Sequence, residues 1–254
     1  MKRCIYLAVL VMSTFLIAPL FDGVADEMVL YLSFDEDAGK VAKDLSPFGH
    51  EATFKGKPKW IDGVFGKALE FDAKTSGEIP DHASLDITDA LTIETWALVK
   101  GGEAIQSAVE KGRAWVSGEY NLAALYNGGS ILQFFDLPEV CNDDNIGPTI
   151  QDGEWHFLVG TWDGKTIKLY IDGKLESEMP CKGKLSPNND PLFIGARGGS
   201  GRFLTGALDE IKMYDYALTR EEILNDMKDP APKAVDSQGK LATTWGTIKR
   251  SARM

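Results

Sequence analysis

Apolar and polar residues alternate along most of this chain, in short runs separated by turn residues. In VLYLSF the side chains of Leu30, Leu32 and Phe34 share one face, and in KALEFD those of Leu69 and Phe71 do. A period of two residues predicts β-strands with one buried face. The body of the chain is therefore predicted to be all-β.

One run, ALTIETWALV, is apolar on both faces. Ile93 and Ala97 lie on one face of the predicted strand, and Trp96 and Leu98 lie on the other. A strand of this composition is covered on both sides, so we expect it in the centre of a sheet.

Residues 153–180 predict two consecutive hairpins. Strand-like runs flank Asp163-Gly164 and Asp172-Gly173. Asp-Gly pairs favour tight turns because glycine adopts positive φ without penalty. Turn chemistry thus explains the acidic residues of this segment.

The last predicted strand, ALDEIKMYD, is followed by a helical turn. Thr219 and Glu222 have capping-box spacing immediately before Ile223. Beyond residue 228 the chain becomes basic, which predicts a flexible tail at 229–254. The alternative is that KLATTWGTIKR docks on the domain or is bound by another component.

Residues 1–25 have the pattern of a secretory signal peptide. Two basic residues precede an apolar run, and Gly23 and Ala25 provide small residues for cleavage after Ala25. The alternative is an uncleaved anchor helix, which the interruption by Ser13 and Thr14 disfavours. No later segment is long and apolar enough to span a bilayer.

Length and charge limit the classes of function. Residues 26–228 suit one large all-β domain. The chain has 254 residues and a formal net charge of −11, which disfavours nucleic acid and anionic membranes as partners. No pattern in the sequence indicates an oligomeric state.

Two cysteines, Cys141 and Cys181, lie outside the signal segment. In a chain that enters an oxidising compartment they predict a disulfide. The alternative is a pair of buried thiols, because the sequence does not show that the two Cα atoms approach each other.

Six segments carry a family pattern. The chain resembles, in order and spacing, the laminin-G-like jelly-roll domain of the concanavalin A-like superfamily over about residues 28–228. The matching segments are YLSFDEDAGKVAKDLSPFGHEATF, GKALEFD, LTIETWALVK, DGEWHFLVGTWDGKTIKLYIDGKL, PLFIGAR and GALDEIKMYDYALTREEI. The resemblance implies a two-sheet antiparallel jelly-roll sandwich, often with structural calcium, in carbohydrate-binding or adhesion modules of secreted and surface proteins.

Catalysis is not expected, although related glucanases share this fold. Glycoside hydrolysis needs two carboxyl groups flanking the scissile bond, and the laminarinase motif Glu-x-Asp-x-x-Glu is missing. The nearest candidates are Glu94, Asp209 and Glu210, without a partner at alternate spacing on the same strand.

The three histidines, His50, His82 and His156, occupy separate segments without zinc spacing. His156 matches the family's Trp-His position at the start of the first hairpin. We expect it to be structural and to hydrogen-bond backbone near a strand end.

A calcium site is the preferred metal hypothesis, because carboxylates and carbonyls suit this cation. The resemblance implies that Asp35 and Asp209 occupy positions of the family's calcium site, and that Asp72 is a further candidate ligand. Asp209 alternates with Ile211 and Met213, so its charge requires a partner. The alternative partners of Asp209 are backbone amides or Arg197 and Arg202. The acidic loop CNDDNIGPTIQDG is an alternative candidate for calcium binding, although it lacks the ligand spacing of an EF-hand loop.

Sugar binding requires exposed aromatic side chains beside polar groups. The candidates are Trp115, Tyr120, Tyr126, Phe134 and Arg197. The alternative for each aromatic residue is packing in the core.

The sequence therefore predicts a non-catalytic module that is secreted, periplasmic or at the cell surface. The expected partner is an extracellular glycan. The alternative is an adhesion or structural role in which the module binds a surface protein, and a divergent glycosidase is the third hypothesis.

Overall fold

The alternating segments form two antiparallel β-sheets that pack face to face. The computed structural model describes residues 27–137, 141 and 145–231. The predicted signal segment at 1–25 lies outside the described residues, as does the predicted tail beyond residue 231. Within the described part, no helix has the length and apolarity required to cross a membrane.

Strands are the main regular structure of the described chain, at 46%, and helix contributes 6%. In chain order the strands are β1 (Met28–Leu32), β2 (Val41–Ala42), β3 (Ala52–Lys55), β4 (Lys59–Asp62), β5 (Lys67–Asp72), β6 (Ser76–Ile79), β7 (Leu91–Val99), β8 (Ile105–Lys111), β9 (Tyr120–Tyr126), β10 (Gly129–Phe134), β11 (Trp155–Trp162), β12 (Thr166–Ile171), β13 (Lys174–Pro180), β14 (Leu192–Ile194) and β15 (Thr205–Tyr214). A 3-10 helix (Ala83–Leu85) precedes β7, and helix α1 (Arg220–Asp226) follows β15.

The two sheets differ in size. The larger sheet has eight strands in the order β13-β12-β11-β7-β15-β5-β4, with β1 paired to β15 beside β5. The smaller sheet has seven strands in the order β10-β9-β8-β14-β6-β3-β2. Strand β7 pairs with both β11 and β15, which confirms the central position predicted for ALTIETWALV.

The core lies between the sheets and contains the predicted apolar faces. Leu30, Leu32 and Phe34 are buried there, together with Leu69 and Phe71. Burial of such side chains contributes about 1.5–3 kcal/mol each, as an upper estimate for the folded chain.

The outer face of the larger sheet is covered as well. Phe157 and Val159 of β11 and Tyr214 of β15 form a second apolar cluster with Ile223 of α1. The helix begins at the predicted capping box, in which Thr219 and Glu222 satisfy each other's backbone amides. Trp96 packs against this cluster, which explains why β7 is apolar on both faces.

The two predicted hairpins are present. Asp172 and Gly173 both have positive φ, 53° and 73°, as the tight turn between β12 and β13 requires. His156 contacts side chains and not backbone, which corrects our expectation: its Nδ1 lies 2.8 Å from Asp172 Oδ2 and its Nε2 lies 3.1 Å from Asp152 Oδ2. The histidine thus connects the β12–β13 turn, at Asp172, and the turn before β11, at Asp152, to the start of β11.

A bulge in β15 changes the predicted position of Asp209. Leu208, Ile211 and Met213 all face the core, and the pairing with β7 shifts between Asp209 and Lys212. Asp209 pairs with Trp96, whose side chain belongs to the outer cluster. The simple alternation of Asp209 with Ile211 is therefore wrong, because a bulge inserts residues and reverses the faces that follow.

Cys141 and Cys181 form the predicted disulfide, with Cα atoms 5.5 Å apart. The bond closes a loop with a sequence separation of 40 residues. It ties the segment after β10 to the end of β13.

Replacing both cysteines by serine should lower the free energy of unfolding by about 3–4 kcal/mol, the loop-closure entropy of such a loop. Chemical denaturation of the double variant and the wild type measures this loss. Wild-type protein treated with a reducing agent should show a similar decrease. Two reactive thiols in denatured, unreduced wild-type protein would contradict the disulfide.

Candidate functional site

The most prominent exposed aromatic side chain lies on the outer face of the smaller sheet. Trp115, between β8 and β9, is 70% exposed. Its ring contacts Arg197 and Arg202, which flank a glycine-rich turn between β14 and β15. Arg202 also contacts the ring of Tyr126 of β9. Phe135, just after β10, completes the group. We call these five residues the Trp115 surface.

The glycine-rich turn explains how the two arginines meet. The backbone amide of Arg197 donates to the carbonyl of Gly201 at 2.7 Å, and the amide of Gly201 donates to the carbonyl of Arg197 at 3.1 Å. Gly198 and Gly199 reverse the chain with φ of 54° and 68°, a conformation that glycine adopts without strain. The turn therefore returns the chain so that Arg202 lies near Arg197.

Arg197 is held by two buried glutamates. Its Nε donates to Glu110 Oε1, and its Nη2 donates to Glu119 Oε1 at 2.9 Å. The hydroxyl of Ser107 donates to the other oxygen of Glu110. Burial and the adjacent Glu110 carboxyl raise the pKa of Glu119 to about 8. Burial therefore favours the protonated form of Glu119.

Arg197 in turn supports the indole ring of Trp115. Its guanidinium carbon lies 4.7 Å from the ring centroid, and that of Arg202 lies 5.7 Å from it. Phe135 makes an edge contact with the same ring, with centroids 4.9 Å apart. Cation–π and aromatic contacts of this kind contribute about 0.5–2 kcal/mol each. Trp115 is thus exposed and also held in one orientation.

Arg202 has weaker polar contacts. Its Nη1 lies 3.4 Å from Gln133 Oε1, which also accepts from Asn121 Nδ2 at 3.1 Å. Its guanidinium carbon lies 5.9 Å from the ring centroid of Tyr126. Burial and the neighbouring Arg197 lower the pKa of Arg202. No carboxylate among the described residues forms an ion pair with it.

The structure brings together three of the predicted ligand-binding residues, namely Trp115, Tyr126 and Arg197. Tyr120 instead lies in the core, 1% exposed, and its hydroxyl donates to the carbonyl of Leu85 at 2.9 Å. Phe134 also lies in the core, with its ring centroid 5.0 Å from that of Trp162.

Sequence reasoning missed Arg202 as a member of this surface. The available signal was the spacing Arg-Gly-Gly-Ser-Gly-Arg at residues 197–202, because a glycine-rich reversal places its two flanking residues side by side. Phe135 gave no comparable signal, since its position depends on where β10 ends.

The predicted calcium ligands occupy two places. Asp209 Oδ2 accepts from the amides of Val64 at 2.8 Å and Phe65 at 3.0 Å. Asp35 Oδ1 accepts from the amide of Lys67 at 2.9 Å in the same turn. We call Asp35, Asp209 and the adjacent Glu210 the acidic corner. The backbone amides are the partners of Asp209, and both arginines lie in the Trp115 surface.

The carboxyl groups of the acidic corner are only partly hydrogen-bonded. Asp209 Oδ1 and Glu210 Oε2 are buried and have no hydrogen-bond partner among the described residues. Burial raises the pKa of Asp209 to about 7 and that of Glu210 to about 8. Orphaned buried oxygens of this kind are suitable donors for a hard cation.

Asp72 is not part of the acidic corner. Its Oδ1 accepts from the amide and the hydroxyl of Thr75, at 3.0 and 2.9 Å, and thereby stabilises the turn after β5. In the described part of the chain, no three His, Cys, Asp or Glu side chains are grouped to hold a metal ion. A cation at the acidic corner would therefore require backbone or solvent oxygens in addition to Asp209 Oδ1.

Glu94, the other carboxyl considered for catalysis, is buried beneath α1. It is 1% exposed, and its Oε1 lies 3.2 Å from Lys212 Nζ. Lys212 Nζ also lies 3.1 Å from Asp226 Oδ2. Burial raises the pKa of Glu94 to about 8. This network attaches the helix to the larger sheet.

Two histidines from separate segments meet, which sequence spacing did not indicate. The rings of His50 and His82 lie with centroids 4.7 Å apart. The hydroxyl of Ser84 lies 2.7 Å from His50 Nε2 and 3.0 Å from His82 Nδ1. Phe48 stacks on His50 at 5.6 Å. These contacts pack the segment before β3 against the 3-10 helix.

These features define a jelly-roll sandwich with an aromatic and arginine-lined surface on one sheet. Residues 71–224 match the Laminin_G_3 family of the concanavalin A-like lectin/glucanases superfamily, and the chain belongs to this family. The family expected from the sequence is thereby confirmed.

A curated relative, Pappalysin-1 from Homo sapiens, is 24% identical over 203 residues, which cover 73% of this chain and 12% of that protein. The chain thus spans a small part of that relative's length. Pappalysin-1 from Mus musculus is 23% identical over the same share.

One solved structure is similar over nearly its whole length. It is domain 4 of AbnA, an extracellular GH43 arabinanase from Geobacillus stearothermophilus, in complex with arabinotriose. The TM-score is 0.63 at 16% identity, and the match covers 79% of this chain and 98% of that chain. The binding domain of Paraclostridial Mosquitocidal Protein 1 has a TM-score of 0.61 at 16% identity, covering 82% of this chain and 53% of that chain. At this identity the similarity shows the fold alone.

Stability should decrease as pH rises from about 4.5 to 8. Because burial and Glu110 raise the pKa of Glu119 to about 8, the folded chain retains a proton there that the unfolded chain releases near pH 4.3. Thermal unfolding across this range measures the effect, with a loss of about 2–4 °C in Tm for each kcal/mol.

The variant Glu119→Gln keeps an amide in place of the protonated carboxyl and should show a flatter pH profile. The surface variant Glu78→Gln, which removes an exposed ion pair with Lys55, is the control and should retain the wild-type slope. An unchanged slope in Glu119→Gln would contradict the raised pKa of Glu119.

Proposed function

We propose that this protein is a secreted, non-catalytic binding module whose ligand is a carbohydrate. The observation that carries the proposal is the Trp115 ring, exposed to solvent yet fixed by Arg197, Arg202 and Phe135. Sugars present apolar C–H faces and polar hydroxyl rims. An immobilised aromatic ring can stack on the C–H face, and the neighbouring guanidinium and amide groups can hydrogen-bond the hydroxyl groups.

Preorganisation is the physical advantage of this arrangement. A ligand that stacks on Trp115 does not have to immobilise the ring, so little side-chain entropy is lost on binding. Ala114, Trp115 and Arg202 have positive φ, of 107°, 57° and 47°, which costs of order 1–3 kcal/mol per residue and is typical of functional sites. The surrounding contacts hold these residues in place.

Similar proteins support a binding role. The arabinanase domain was solved with a bound arabinotriose, and the mosquitocidal protein fragment is described as a binding domain. Membership of the lectin/glucanases superfamily is consistent with both. The burial of Glu94 beneath α1 favours a structural role for that carboxyl over a catalytic one.

Export from the cytosol is part of the proposal. The Cys141–Cys181 disulfide favours an oxidising compartment, because cytosolic thiols are kept reduced. The predicted signal segment at 1–25 agrees with this. We therefore place the protein outside the cytoplasm, in the secreted, periplasmic or cell-surface fraction.

The variant Trp115→Ala should weaken binding to the glycan that the wild type selects on an array by at least about tenfold, because the stacking face is lost. Isothermal titration with that glycan measures the change. Leu175→Ala removes an apolar side chain that is 39% exposed on the other sheet, and it should bind like the wild type. Equal affinity of both variants would contradict a site at Trp115.

Structural calcium at the acidic corner is a second element of the proposal. Calcium should raise the Tm by several degrees relative to a chelator, because an ion that binds only the folded state stabilises it. Asp209→Asn should abolish this increase, whereas Asp72→Asn should retain it because Asp72 lies in a separate turn. Identical Tm values with calcium and with chelator would contradict the site.

A protein partner is the second candidate function. Three of the exposed apolar side chains lie in one segment near the edge of the smaller sheet, namely Val41, Leu45 and Phe48. Exposed apolar groups beside an edge strand are typical of protein contacts. Failure of the wild type to bind any glycan on the array would favour this function over carbohydrate binding.

A further inference from the structure

The two arginines of the Trp115 surface differ in how their charge is compensated. Arg197 donates to Glu110 and Glu119, both of which are buried. Arg202 has no carboxylate partner within the described chain, and its one side-chain hydrogen bond, to Gln133, is long at 3.4 Å. Glu110 and Glu119 act on Arg202 electrostatically but are not in ion-pair contact with it, and a partly buried guanidinium without a directly paired carboxylate is unusual because desolvation of a charge is costly.

The two guanidinium groups differ in their contacts with the glutamate pair. Both glutamates form ion pairs with Arg197, whereas they act on Arg202 only electrostatically and from a longer distance. The N–H groups of Arg202 are therefore the ones that a ligand carboxylate can pair with.

Arg202 is also directed by its neighbours. Its guanidinium lies near the rings of Trp115 and Tyr126, at 5.7 and 5.9 Å from their centroids. Aromatic faces on a guanidinium restrict its plane while its N–H groups remain available at the edge. A sugar stacked on Trp115 would therefore bring its ring substituents next to guanidinium N–H donors that no carboxylate of the described chain occupies.

We propose that the Trp115 surface binds an acidic sugar, with Trp115 stacking on the sugar ring and Arg202 pairing with its carboxylate. The planar fork of arginine matches a carboxylate in a bidentate geometry. The inference rests on the proposed carbohydrate-binding function and narrows the ligand to glycans that contain uronic or sialic acid residues.

Matched acidic and neutral glycans test this preference by isothermal titration of the purified protein. One pair is trigalacturonic acid and its methyl ester, and the other is 3′-sialyllactose and lactose. The acidic member of at least one pair should bind about ten- to a hundredfold more tightly than its neutral counterpart, as expected for a charge-assisted hydrogen-bond pair. The pair that shows the preference distinguishes uronic from sialic acids.

Variants separate the role of Arg202 from general charge. Arg202→Gln should reduce the acidic-over-neutral ratio to near one, and Arg202→Lys should give an intermediate ratio because charge remains but the fork is lost. Arg113→Gln is the matched control, since Arg113 already pairs with Asp190 at 3.2 Å. This control should retain the wild-type ratio. Thermal unfolding of each variant verifies that it is folded.

Three outcomes would overturn the inference in distinguishable ways. Equal affinity for the acidic and neutral members of both pairs, or selection of a neutral glycan alone on the array, would remove the acidic-sugar assignment and leave the proposed function intact. Absence of binding to any glycan would contradict the proposed function and this inference together. An acidic preference that Arg202→Gln and Arg202→Lys both retain would show that Arg202 is not its source.

Discussion

Charged side chains on the outer faces of both sheets are removed from water, and this desolvation governs much of the structure. Lys212 is held by Glu94 and Asp226 beneath helix α1. Arg197 is held by two glutamates beneath the loops of the smaller sheet. Breaking a buried ion pair leaves an uncompensated charge at a cost of several kcal/mol. Each network therefore fixes the covering segment in one position.

The same constraint explains why the Trp115 surface is suited to recognition. The segment that carries Trp115 lies over Arg197, which its glutamate partners immobilise. The exposed ring is consequently supported from below by a rigid cation, while its outward face stays in solvent. Arg202 lies at the same ring but forms no ion pair with a carboxylate of the described chain. A rigid aromatic face and a partly exposed guanidinium thus occur side by side, which is the combination that a preorganised binding site requires.

The sequence predicted the elements well where the signal was local. Three elements were predicted correctly: the Asp172-Gly173 turn, the capping box at Thr219 and the central strand β7. Turn chemistry and alternation act over a few residues, so the local sequence is sufficient.

The binding site was only partly predicted. Tyr120 and Tyr126 are an even number of residues apart, so strict alternation would place them on the same face of β9. Tyr120 nevertheless faces the core and Tyr126 faces outward. A register shift between β9 and β10 reverses the faces along β9.

By itself, the sequence determined the all-β class, the strand and hairpin pattern, the family and the two cysteines available for a disulfide. Tertiary structure alone decided which distant side chains meet. Arg197 reaches Glu110 and Glu119 across 87 and 78 residues, and Asp209 reaches the 64–65 amides across 145 and 144 residues. Such contacts depend on strand order, on bulges and on loop paths, since each is set by the packing of the whole sandwich and leaves no periodic signal along the chain.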